Sequence, residues 1–259
     1  MIGAMAGGRV GFREDFDADA LDADVWLPHY LPQWSSRAQS AATYELSGSE
    51  LQLTIPPAQG IWCAGTHEPP LRVSGIQSGV HSGPEGSTTG QQPFREGLRV
   101  REAQGTHWGW TPHHGTLSVR ARMDLSPRSM ASVWMVGRED EPDRCGEICV
   151  FEVFGDAVEP GASAAVGMGV HPFRDPALTD DFAAPRLDLD VDRHHTYAAV
   201  WEPGRVDFLV DGEHVRSVTQ APAYPLQMMV AVFDFPAHER AQDHAGHVPL
   251  LAVDLIEGP

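Results

Sequence analysis

Positive charge is scarce in this chain. Its 18 basic residues stand against 36 acidic ones, a formal net charge of −18 over 259 residues. Long-range repulsion then opposes nucleic acid and polyanionic substrates such as sulfated galactans, whereas a neutral polysaccharide or oligosaccharide meets no such barrier. Cysteine is scarce too, the three present being Cys63, Cys145 and Cys149. The last two lie four residues apart on one proposed strand, beyond the Cα reach of roughly 7 Å that a disulfide allows. Free buried thiols are therefore expected, with a bridge from Cys63 to either left open. No apolar run approaches membrane-spanning length, so no membrane partner is expected. The opening Met1 to Gly8 has no basic flank and too short an apolar core for a signal peptide. As written, the chain is expected to be a cytoplasmic monomer, with secretion the alternative if a signal has been removed. Internal repeats, low-complexity linkers and long helical periodicities are lacking as well.

What is abundant is punctuation. The 26 glycines and 21 prolines suit many short strands and turns better than helices. A β-sandwich of this length is commonly one undivided domain, here expected over 1–259 with residues 1–10 a disordered leader.

One stretch carries charges that its setting must justify. Gly146 to Gly155 is apolar and strand-prone at Ile148, Val150, Phe151, Val153 and Phe154, yet it holds Glu147 and Glu152. An unpaired carboxylate is expensive in a buried sheet, so each needs a partner or a wet cleft. Strict two-residue alternation would send Glu147 and Cys149 to one face and Glu152 to the other. One extra residue near Val150-Phe151, a β-bulge, would return Glu152 to the face of Glu147, and bulges are common beside active sites for this reason. The two acids then sit like i and i+4, about 13 Å apart at Cα. Leaning side chains can bring the carboxyls to about 5 Å, the separation of a retaining rather than an inverting glycosidase.

The segment EICVFE resembles the catalytic ExDxxE strand of glycoside hydrolase family 16, the laminarinase and lichenase group. His195 to Glu213, reading HTYAAVWEPGRVDFLVDGE, resembles a second segment widespread in that family. Its Asp211-Gly212 is a type I′ hairpin signature in its own right. The resemblance runs from about Phe12 to Ile256. It implies an all-β concanavalin A-like jelly roll of two antiparallel sheets with a concave substrate cleft. It also implies retaining endo-hydrolysis of a β-1,3 or mixed β-1,3/1,4-glucan, with Glu147 as nucleophile and Glu152 as general acid/base. Cys149 stands where the family usually has Asp, and a thiol adds no fixed negative charge beside the nucleophile. In the strand Leu226 to Phe233, Ala231 stands where many relatives carry Asn. These two departures support a non-catalytic glucan-binding module as the alternative; a transglycosylase on the same glutamates is another.

Other site candidates follow. Trp134, Trp108 and Trp110 offer indole faces for stacking on sugar rings, whereas Trp26 and Trp201 are assigned to the core. By resemblance His171 ends the neighbouring strand at the cleft. Loops between about residues 56 and 112 are expected at the cleft rim. No cofactor is required for this chemistry. A structural calcium, which many family members carry, would by resemblance involve Asp254. The Asp15, Asp17, Asp19 series is no calcium loop, because Ala20 occupies the place where such a loop needs Gly.

Overall fold

Residues 11–259 are described by the computed structural model, and the leader expected over 1–10 lies outside them. Its strands pair antiparallel into two large sheets. One has six strands in the order Asp181–Ala183, Gly167–His171, Glu147–Phe154, Ser129–Gly137, Leu226–Asp234, Arg72–Gln77. The other has eight and centres on Gly115–Asp124, flanked by His195–Glu202 and Leu250–Gly258. Among the described residues helix is confined to Arg37–Ser40 and two short 3-10 turns, and none of it is long and apolar enough to cross a membrane.

The sheets pack face to face because their strands alternate. On Ser129–Gly137, Ala131, Val133 and Met135 point into the inter-sheet core, where Phe151 of one sheet meets Tyr197 of the other at 4.4 Å between ring centroids. Val133, Met135 and Phe151 each contribute about 1.5–3 kcal/mol on burial. The opposite face of the same strand, Met130, Trp134 and Val136, is also buried, against a second cluster that includes Trp34, Trp62 and Phe233. Loops between residues 31 and 100 thus lie across the outer face of the six-stranded sheet. They leave room for a cleft only where that cover parts.

Turn chemistry behaves as the sequence suggests. Thr43–Leu46 and Leu51–Thr54 form a hairpin. Asp211 and Gly212, at φ 51° and 81°, take the paired left-handed conformation of a type I′ turn between Arg205–Val210 and Glu213–Val218.

The decisive irregularity lies in Glu147–Phe154. Phe151 faces Val133 and Cys149 faces Trp134, so Val150 is the extra residue against one neighbour. Against the other, Gly167 faces Glu152 and Gly169 faces Cys149, again leaving one residue more on this strand. Val150 and Phe151 consequently both enter the inter-sheet core, and the alternation restarts with Glu152 outward.

Candidate active site

Both glutamates open into one cavity of about 340 Å³ on the outer face of the six-stranded sheet. Ser132 and Trp134, from the adjacent strand, form its floor, and Tyr30, Trp62, Phe94 and Phe233 make its walls largely aromatic. Glu147 and Glu152 each keep part of their surface open to this space. Burial pushes the Glu147 carboxyl up to about 8; the nearby charge of Glu152 adds to the rise, and no counter-charge offsets it. Burial raises Glu152 too, against the opposing pull of the His171 imidazole. Burial thus holds both carboxyls above the ordinary carboxylate range.

Cys149 lies beneath them, fully covered, and burial followed by the charges of both glutamates pushes its thiol up, so it stays neutral. It does not line the cavity, and its part is that of an uncharged spacer. His171 faces Glu147 across the strand pair. Its Nδ1 bonds Asp180 at 2.6 Å and its ring stacks on Phe182 at 4.8 Å. It stands outside the cavity lining, and its pull falls on Glu152 alone. Trp134 does line the floor, with Nε1 donating to Gln92 Oε1 at 3.3 Å.

Two of the expected sugar platforms lie elsewhere. Trp108 is paired in a short ribbon with Gly79, and the Arg138 guanidinium covers its ring at 5.1 Å from the centroid. Trp110 stacks on Phe12 at 4.3 Å and packs over Gly258, closing the edge where Phe12–Glu14 pairs with Leu250–Gly258. Neither reaches the cavity, because each indole already has a partner that buries its face.

Asp254 lies on the eight-stranded sheet, in the strand Leu250–Gly258. Its Oδ2 is held by the Arg120 guanidinium, with His194 Nε2 at 3.6 Å. The neighbouring Glu50 is taken by Arg122 at 2.9 Å. Asp254 Oδ1 is buried without a hydrogen-bond partner, but cationic side chains already neutralise this acidic group. Among the described residues no three side chains of His, Cys, Asp or Glu gather as a metal would need. Arg120 and Arg122 thus hold two of the carboxylates that a calcium here would draw on.

One wall was not foreseen. Glu139, in the left-handed conformation at φ 55°, buries its carboxylate; Oε1 accepts the Gln92 backbone N–H at 2.6 Å, and Oε2 is held by Arg174. Burial lifts this carboxyl to about 7, against the pull of those bonds. Gln92 and Arg174 line the cavity, and the buried Gln92 Nε2 has no partner of its own. An aromatic enclosure with one donor-rich wall and a carboxyl pair at its floor suits a ring with hydroxyls at its edge and a bond cleaved by proton transfer.

The family model of the glycosyl hydrolases family 16 matches residues 110–248, a span that includes both glutamates. The chain belongs to glycosyl hydrolase family 16. Family 16 structures share its jelly-roll fold. A GlcNAcα1-4Gal-releasing endo-β-galactosidase from Clostridium perfringens superposes with a TM-score of 0.79 at 20% identity, covering 98% of this chain and 63% of that one. This chain thus spans less than two thirds of that protein. A laminarinase from Flavobacterium sp. UMI-01 gives 0.62 at 16% identity, covering 95% and 98%. A lichenase from a mouse hindgut metagenome gives 0.61 at 16%, covering 96% and 98%. No curated protein sequence matches the chain.

Proposed function

We propose that this family 16 member is an endo-acting, retaining hydrolase of a neutral β-linked glycan, with β-1,3 or mixed β-1,3/1,4-glucan as substrate. The observation that carries the reading is the bulge at Val150, which puts Glu147 and Glu152 into one cavity. Glu152 gives its proton to the glycosidic oxygen while Glu147 attacks the anomeric carbon. Glu152 then takes a proton from the water that releases the glycosyl-enzyme. The first step needs Glu152 protonated and Glu147 ionised; burial raises both carboxyls, so Glu147, pushed up to about 8, must lose its proton before it attacks. With Cys149 neutral, no third carboxylate competes for the proton.

A second reading keeps the chemistry and changes the sugar. The similarity in fold to the clostridial endo-β-galactosidase exceeds that to the laminarinase, 0.79 against 0.62, and this favours a β-galactoside-containing chain as the alternative substrate.

Digestion of a panel of laminarin, lichenan and galactose-containing oligosaccharides, followed by proton NMR of the first product, tests both. The β-anomer should appear first. An α-anomer would refute the retaining mechanism, and retention of glycan on an affinity gel without any product would identify a binding module instead.

A further inference from the structure

Beyond the catalytic cavity lies a second groove of about 310 Å³, walled by Pro69, Pro127, Phe154 and Phe235 with Asp156 and His238 at its rim. Phe235 lines both spaces, so the two share a wall. The strands explain its place. Phe154 follows Glu152 by two positions, which puts it on the same face about 7 Å further along. Phe235 likewise follows Phe233, a wall residue of the catalytic cavity. The two phenyl rings lie 6.1 Å apart at an interplanar angle of 23° and present one continuous apolar surface. Phe154 is 41% exposed, whereas the sheet positions around it are covered by loops, and it belongs to neither core cluster. What the exposed Phe154 does touch is Phe235, so the two rings form an apolar patch beside the cavity rather than an isolated surface residue.

The rim is polar. His238 Nδ1 accepts the Arg240 backbone N–H at 3.2 Å, so its proton sits on Nε2, 3.7 Å from the Asp156 carboxylate. An apolar floor with a donor and an acceptor at its edge matches a pyranose, whose C–H face lies flat on a ring while its hydroxyls point outward.

We infer that this groove is a subsite for a glycosyl unit on the leaving-group side of the cleaved bond. The inference rests on the hydrolase reading above. It commits to that side because the groove adjoins Glu152, the residue that protonates the departing oxygen, while Glu147 stands at the other end of the strand.

The test uses oligosaccharides of the glycan that the wild-type chain cleaves, with a constant glycone end and a lengthening leaving group. In the wild type kcat/KM should rise when the leaving group becomes long enough to reach Phe154. In Phe154→Ala that rise should shrink by about three- to tenfold, and Phe154→Trp should restore it. A Phe154→Ala chain that melts like the wild type and keeps the full rise overturns the subsite, as does an equal loss at every length. Absence of cleavage by the wild type on any glycan instead defeats the hydrolase reading and the subsite with it.

Discussion

Asp234 ends the Leu226–Asp234 strand with a side chain 4% exposed that holds two guanidiniums. Arg128 binds it through Nε and, at 2.7 Å, through Nη2, and Arg72 donates Nε at 2.7 Å. Arg128 Nη1 also donates to Ala241 O at 2.7 Å, which ties the loop carrying Phe235 and His238 back to the sheet. Asp234→Ala would leave Arg128, itself 6% exposed, without its carboxylate. Removing one partner of a buried pair costs about 3–5 kcal/mol, because the other charge is left uncompensated. An unfolding entropy of about 2.1 cal/mol/K per residue over 259 residues comes to about 0.54 kcal/mol/K. Tm should therefore fall by about 6–9 °C, measured by circular dichroism or calorimetry. Arg13→Ala serves as the control. Its pair with Glu257 is half exposed on both sides, 54% and 49%, and its loss should cost under about 1 kcal/mol. If Asp234→Ala melted no lower than Arg13→Ala, burial would not be what gives this cluster its strength.

Two further outcomes follow from the charges. The Glu147 carboxyl, pushed up to about 8 when folded, ionises near about 4.3 when unfolded. The folded chain thus binds the extra proton, and this group's contribution to stability is lost as pH climbs from about 4.3 to about 8. Glu147→Gln should raise Tm at pH 8 and leave it unchanged near pH 4; a lower Tm at pH 8 would contradict the burial argument. With Arg120 on Asp254, added EDTA should leave Tm within about 1 °C of the untreated protein, a small fraction of the shift expected from losing a structural ion. A clear fall would restore the calcium.

The sequence disclosed those features that depend on neighbours along the chain. Glycine-bounded turns and the Asp211-Gly212 hairpin were readable because turn type is set by a few consecutive residues. The bulge was readable because two acids five positions apart in an otherwise apolar strand leave few physical solutions. Trp134 could be placed because its strand alternates against a known face. Trp108 and Trp110 could not, since a Gly- and Pro-rich stretch has no period to say where a side chain points. Glu139 was hidden for a different reason. It sits in Arg138-Glu139-Asp140-Glu141, which reads as a solvated turn, and only the fold brings Gln92 and Arg174 to it. Phe154 was read as one more apolar strand residue; its exposure depends on where the loops stop. Asp254 was assigned through family resemblance, whereas Arg120 decides its partner here through cross-strand geometry.

Single substitution of each glutamate tests the proposed chemistry most directly. On the glycan that the wild type cleaves, Glu147→Ala and Glu152→Ala should each lower reducing-sugar release by about a thousandfold or more. On an aryl glycoside whose leaving group departs without a proton, azide should rescue Glu147→Ala to an α-glycosyl azide, because it enters from the nucleophile's face, and Glu152→Ala to a β-glycosyl azide formed from the glycosyl-enzyme. Either variant retaining a rate close to that of the wild type would show that this pair does not cleave the bond.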